Sequence, residues 1–411
     1  MHPKREKVGL WMIGACGGVG STVALGVAAL GRGLADQTGL VSALPVFGAV
    51  DLTDPGALVV GGHEIRAESL LEAVSGLHTR SKVYTPELIR ACTPQLRMMQ
   101  RDIRPGILFG AGPTIRAMAD LDFVERHRSP AEAIERIVED LTAFRRRRRL
   151  EHLVVVHVAS SEPPARPASA HGNYHKLVRA LARPGSQVLP TSSLYALAAI
   201  EAGCAFINFT PSLGLRVPAI QQRARELGVP YMGSDGKTGE TLVKSALAPM
   251  FAMRNLSVLS WVGQNILGNR DGAVLDDPRT RLSKIQAKDK TVARIVAGSP
   301  VTRVSIDYVP SLDDWKVAWD FVHFEGFLST KMSLQFTWTG SDSILAAPLI
   351  IDLVRLAALE CRESRSGPMK HLAFFFKDPI DVQEYDLFAQ WRRLVEHLTT
   401  TAARRSGTPA R

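Results

Sequence analysis

Val8-Gly-Leu-Trp-Met-Ile13, running into Gly14-Ala-Cys-Gly-Gly-Val-Gly20, constrains this chain more than any other segment. An apolar run with β-branched and aromatic residues that stops at a glycine predicts a buried strand. Ser21 and Thr22 then lead into Val23, Val27 and Leu30 at helical spacing. Glycines allow a tight turn and a close approach of backbone to a pyrophosphate, and the helix beyond supplies N–H groups and a favourable dipole. The spacing is GxxGGxG and not GxGxxG, so the motif taken alone also fits a glycine-rich turn without a ligand. Lys4, Arg5 and Lys7 before an apolar stretch resemble a targeting segment. The glycines and the Ser-Thr pair would burden a membrane helix, whereas a strand–turn–helix needs them.

The pattern repeats. Leu44-Pro-Val-Phe-Gly-Ala-Val50 reads as a second strand ending in Asp51, where a dinucleotide fold places the acid that meets the adenosine ribose. It lies further from the glycines than the usual ~20 residues, and a plain strand-terminating Asp is the alternative. Leu153–Ala159 is a continuous apolar strand followed by Ser160-Ser161-Glu162. Then come Thr191-Ser-Ser193, a helical run to Ala202, a strand at Ala205–Asn208 and a helix near 219–227. Strands alternating with helices predict a Rossmann-like, doubly wound parallel α/β sheet with a ligand crevice at the strand ends. From Leu256 the period changes: 301–309 and 331–338 alternate like half-buried strands, and Asp342 opens an apolar helix, 343–359. The expected organisation is an NAD-type domain over 1–244, an inserted α+β catalytic and oligomerisation domain over 245–341, and a returning segment, 342–411.

The 411 residues suit two or three domains, and 45% hydrophobic with 22% charged residues suits a soluble chain with a sizeable core. A formal charge of +10 favours anionic partners without choosing among them. Cys16, Cys92, Cys204 and Cys361 form no CxxC pair, which fits a reducing cytosol and argues against a zinc cluster. Arg145–Arg149 reads as a solvated helix end, with no nucleic-acid motif beside it. His171 and His175 have the spacing of a metal pair but lack an intervening HExxH glutamate. Asp276-Asp277 and Asp313-Asp314 read as turn acids. Lys284 and Lys288, four apart beyond an Asn/Asp turn, fit either a solvated face or an anionic small molecule between them.

Together, Phe47–Asp51, Val155–Glu162, Ser193–Ile200, Asp235-Gly-Lys-Thr-Gly239, Leu267-Gly-Asn-Arg-Asp-Gly272 and Asp342–Pro348 resemble the myo-inositol-1-phosphate synthase family. The resemblance runs in order from Gly14 to Pro379. It implies an isomerase of inositol phospholipid biosynthesis that uses NAD as a recycled cofactor. C5 of glucose 6-phosphate is oxidised, an enolate forms at C6, C6 closes on the C1 aldehyde, and the ring ketone is reduced to give inositol 3-phosphate. A paralogue using NAD on a different sugar phosphate, or a non-catalytic NAD-binding relative, are the alternatives.

By the same resemblance, Lys284 and Lys377 handle proton transfer, and Lys331 and Lys288 stabilise oxyanion and phosphate, with Asp342 and Asp320 beside them. Asn269 and Asp271 shape the site. Thr238, Gly239 and Glu240 cradle the phosphate. Gly14, Cys16, Gly17, Gly18, Val19, Gly20, Asp51, Ala159, Ser160, Ser192 and Asp235 fall on the cofactor side. A monovalent or divalent cation is implied for some members, although no dedicated ligand cluster is visible. A cytoplasmic homotetramer or dimer is implied, without nucleic acid or membrane partners. Glu240 stands where the family usually carries Gln, Ser234 replaces an acid, Leu242 a lysine, and Arg270 and Trp338 asparagines, so the lysine core persists while the pocket rim is rewritten.

Overall fold

β1 (Val8–Ile13) is the hub of a sheet of seven parallel strands, buried along its whole length. The computed structural model describes residues 6–275, 295, 296, 298 and 300–406. On one side of β1 lie β2 (Val59–Glu64) and β3 (Ile103–Pro105). On the other lie β4 (His152–His157), β5 (Ala205–Asn208), β6 (Pro230–Gly233) and β11 (Gly367–Pro368). The order β3-β2-β1-β4-β5-β6 is that of a dinucleotide-binding sheet, and the direction of winding reverses between β1 and β4. At that reversal the connections diverge to opposite faces, leaving a crevice beyond the strand ends.

The second strand is not where the sequence reading put it. Residues 44–50 form no strand: they hold one short 3-10 turn, Pro45–Phe47, which follows another at Val41–Ala43. Pro45 fixes its φ and offers no N–H to a ladder, so this run cannot pair as a central strand. Its apolar residues are used differently: Phe47 packs edge-on against Trp391 of the C-terminal helix, 5.6 Å between centroids. The strand that pairs with β1 is Val-Val-Gly-Gly-His-Glu64, whose paired glycines concealed it. Both are required by contact. A Cβ on Gly61 would stand 2.9 Å from the Trp11 ring, and one on Gly62 would stand 2.3 Å from the Met12 carbonyl oxygen.

A second sheet, ordered β10-β9-β7-β8, lies between residues 257 and 341. β7 (Ser257–Leu267) runs parallel to β8 (Val301–Tyr308) and antiparallel to β9 (Trp315–Glu325), which pairs antiparallel with β10 (Lys331–Ser341). One face packs on the helix Glu240–Met253 through Phe251, Trp261 and Val322. The helix Asp342–Arg362, capped by the Ser341 side chain, then returns to the first sheet and packs on the helix Gly18–Gly31 and on β4. The arginine run closes the helix Pro130–Arg148, and Arg147 and Arg148 both grip the buried Asp102. Its role is therefore to pin a helix end.

Candidate active site

A cavity of about 680 Å³ opens at the reversal point, between the ends of β1, β2 and β4 and the loops leaving the second sheet. The glycine turn forms one wall. Gly14 has φ +90°, and a Cβ there would sit 2.9 Å from the Ala159 Cα, so the turn can pass β4 this closely only as glycine. Gly14 and Ala15 donate their N–H groups to the His63 carbonyl, anchoring the turn to β2. The helix Gly18–Gly31 begins with no side-chain cap and no acid in its first turn. An uncapped helix start at a cavity wall suits a pyrophosphate, so the residues present fit NAD.

The opposite wall carries charge. Lys377 and Lys316 are 6% and 7% exposed, and both line the cavity. The Lys377 Nζ lies 2.8 Å from the Asp235 Oδ1, and its backbone N–H donates to the Asp235 carbonyl at 2.7 Å. Lys316 faces Asp342 at 3.8 Å, and Asn269 donates its Nδ2 to the other Asp342 oxygen at 3.4 Å. Asp271, in the short helix Arg270–Leu275 that follows β7, accepts from the Ser161 N–H and hydroxyl at 3.0 and 3.1 Å, tying that helix to the segment after β4. That tie joins the two sheets across the site. Glu162 also faces the cavity. Burial pushes its carboxyl up to about 7 against the lowering effect of the Ser192 N–H and hydroxyl that donate to it. A carboxyl poised there can hold or release a proton near neutral pH.

Of the residues singled out from the sequence, Gly14, Cys16, Gly17, Gly18, Val19, Ala159, Ser160, Asp235, Thr238, Asn269, Asp271, Asp342 and Lys377 meet in this one cavity. Gly20 lies just behind, where a Cβ would collide with the Gly14 carbonyl oxygen at 2.5 Å. Ser192 is buried behind Glu162. Asp51 is far more exposed and pairs with Arg362 and Arg405, because the strand expected to carry it does not exist. Lys331 starts the exposed outer strand β10, outside the cavity. Gly239 and Glu240 stand outside the lining as well. Glu240 turns into the protein and meets the Lys244 Nζ at 2.5 Å, and the same ammonium reaches Asp320 at 3.1 Å. The side chains of Glu240 and Asp320 thus form a buried cluster with Lys244, apart from the cavity lining. Lys284 and Lys288 lie outside the described residues.

Lys316 was passed over in the sequence, although a signal existed. β9 alternates strictly, and Lys316, Ala318, Asp320 and Val322 share its buried face. Charged residues at inward strand positions need a partner or a task. Among the described residues, Glu360, His371 and His397 come close enough to hold a metal ion. They do not fit one: the two imidazoles stack face to face at 3.6 Å, so their nitrogens cannot aim in-plane at a common ion. Arg365 moreover already stands 2.8 Å from Glu360 and 2.9 Å from the His397 Nε2. His171 bonds the Val188 carbonyl instead of a metal.

Lys237, between Asp235 and Thr238, points away from the cavity and donates to Gln390 at 2.7 Å. Burial depresses its ammonium from 10.5 to about 7, against the raising effect of Asp386. The unfolded chain keeps that proton up to its ordinary value. Stability therefore rises with pH between about 7 and 10.5, and the full penalty applies below about 7. Lys237→Met is expected to stabilise the protein by about 2 kcal/mol at pH 6, with the gain vanishing toward pH 10. Urea denaturation across that range checks it, and a gain independent of pH would refute the buried-cation account.

This arrangement defines an NAD-binding α/β enzyme with a lysine-lined pocket. The family model for myo-inositol-1-phosphate synthase matches residues 8–399, and the chain belongs to that family. It is 30% identical to inositol-3-phosphate synthase 1 of Bacteroides thetaiotaomicron, over 97% of this chain and 96% of that protein. It is 28% identical to the inositol-3-phosphate synthase of Brassica napus, over 87% and 75% respectively. The crystal structure of the Caenorhabditis elegans inositol-3-phosphate synthase superposes with a TM-score of 0.87 at 25% identity, covering 97% of this chain and 86% of that one.

Proposed function

We propose that this chain cyclises glucose 6-phosphate to inositol 3-phosphate, an isomerisation with no net redox change. The observation that carries the reading is the pair of buried lysines, Lys316 and Lys377, facing a glycine turn across one cavity. NAD, when bound, supplies the oxidation at C5 and the later reduction of the ring ketone. The chain supplies the rest. Lys377, held by Asp235, is placed to move a proton at the reacting carbons, and Lys316 to stabilise the oxyanion that develops on enolisation and ring closure. Asn269 bonds Asp342, whose other oxygen faces Lys316, and Asp271 ties the segment after β7 to Ser161 at the crevice. Thr238 lines the cavity and is assigned to the substrate phosphate. Lys284 and Lys288 remain assigned by resemblance.

A homo-oligomer is part of the proposal. β10 is an outer strand of the second sheet, and Trp319, Met332 and Phe327 are exposed on that sheet and its hairpin. An open sheet of this kind suits pairing with a second copy. All four cysteines are free, which supports a cytoplasmic setting, and no helix among the described residues is long and apolar enough to cross a membrane.

The test is product analysis of the purified protein incubated with glucose 6-phosphate and NAD, using phosphorus NMR and chiral chromatography. Inositol 3-phosphate without net NADH is the expected outcome. NADH accumulating without ring closure would replace this reading with a dehydrogenase acting on the same or another sugar phosphate.

A further inference from the structure

The end of β2 carries an arrangement that the reaction does not require. In a doubly wound sheet the adenosine ribose lies against the tip of this strand, where an acid accepts from the 2′-hydroxyl of NAD or an arginine accommodates the 2′-phosphate of NADP. Here the tip is Glu64, and both its carboxylate oxygens already accept backbone N–H groups, from Cys16 at 2.8 Å and Ile65 at 2.9 Å. Glu64 thus braces the glycine turn. Two residues on, Arg66 lines the cavity and donates its Nη2 to the Cys16 carbonyl at 3.0 Å. Its Nη1 pairs with the Glu68 Oε2, and its Nε lies 3.4 Å from Glu64. Arg270, the first residue of the short helix Arg270–Leu275 after β7, reaches the same Glu68 oxygen at 3.1 Å and lines the cavity too. One carboxylate oxygen is therefore held between two guanidinium groups at the place where the fold seats the ribose.

Two arginines converging from different elements make a ready site for a phosphate monoester, because guanidinium groups bind such dianions by paired charge-assisted hydrogen bonds. Glu68 fills that site from within. We propose that Glu68 sets the cofactor preference: its carboxylate takes the position a 2′-phosphate would need, so NAD is accepted and NADP is repelled. The inference rests on the reading of the cavity as the dinucleotide site. Without the carboxylate, Arg66 and Arg270 lose their internal partner and turn to the ligand. Arg270 ties this choice to the second sheet, since it stands one residue before Asp271, which closes the crevice.

The experiment is direct binding of NADH and NADPH to the full-length protein, followed by nucleotide fluorescence, for the wild type and Glu68→Gln. The amide keeps the size of the side chain, removes its charge and turns one of its two acceptor oxygens into a donor, so the two guanidinium groups lose their shared carboxylate. The wild type is expected to bind NADH in preference to NADPH. Glu68→Gln is expected to bind NADPH about tenfold more tightly than the wild type does, with NADH affinity changed less than about threefold. In Glu68→Gln/Arg66→Gln the gain should disappear. An unchanged NADPH affinity in Glu68→Gln, or a gain that survives loss of Arg66, overturns the proposal while leaving the cavity assignment intact. Failure of the wild type to bind NADH overturns the cavity assignment and the proposal with it.

Discussion

Lys316→Ala is expected to lower kcat by at least about a thousandfold while leaving NADH affinity within about threefold. An ammonium kept 7% exposed loses most of its hydration, and its carboxylate neighbour Asp342 stands 3.8 Å away, too far for a tight ion pair to repay that loss. A lysine held in this way serves whatever anion enters the cavity. In an enolisation and aldol closure, that anion is an oxygen whose charge grows toward the transition state, so the loss falls on kcat more than on KM. The glycine turn proposed to seat the cofactor lies on the opposite wall, so binding of NADH is the control that separates lost chemistry from lost folding. Lys316→Met keeps the bulk of the stem and should be as inactive as the alanine variant. Lys331→Ala, at the exposed start of β10, should retain activity within about twofold. Single-turnover product formation and NADH titration check all three. More than a tenth of wild-type turnover in Lys316→Ala would remove this lysine from the chemistry.

The contrast between Lys316 and Lys331 illustrates what was legible in the sequence. The first strand, the glycine turn and the alternation of β4 and β5 with helices are readable, because period and turn chemistry are local properties. Asp235, Asn269, Asp271, Asp342 and Lys377, which line the cavity, are picked out by the family resemblance and not by period or turn chemistry. β2 was not readable. Its Gly61-Gly62 pair looks like a loop until the Trp11 ring and the Met12 carbonyl are seen pressed against it. Misplacing that strand moved the ribose acid to Asp51 and hid Glu64, Arg66 and Glu68. Lys316 was lost for a related reason: a strand position is inward or outward only once its sheet has a buried side, and β9 acquires one by packing on the helix Glu240–Met253. The inward turn of the Glu240 side chain is not legible either, because the direction of a side chain at the first turn of a helix is set by what the helix packs upon.

That helix also sets the largest expected loss of stability. Lys244 stands between Glu240 and Asp320, and all three side chains are at most 3% exposed. Asp320 accepts a further hydrogen bond from the Trp261 Nε1 at 2.7 Å. Burial pushes the Asp320 carboxyl up to about 6, Lys244 lowers it, and Glu240 raises it again. Lys244→Met removes the shared cation and leaves two carboxylates facing each other in a dry core, so a destabilisation of about 3–5 kcal/mol is expected at pH 8. The loss depends on pH in a defined direction. Without the ammonium both acids titrate higher in the folded state than in the unfolded one, so the folded variant takes up protons as pH falls. The deficit relative to wild type should therefore shrink toward pH 5 and be largest above about pH 7. Glu240→Gln/Lys244→Met removes one of the two charges, and with it the carboxylate repulsion, and should recover a substantial part of the lost stability. Urea denaturation of the three proteins at pH 5 and pH 8 measures each term. A deficit equal at both pH values, or a double variant no better than the single, would mean that Lys244 contributes by packing its stem between the helix and β7 and not by its charge.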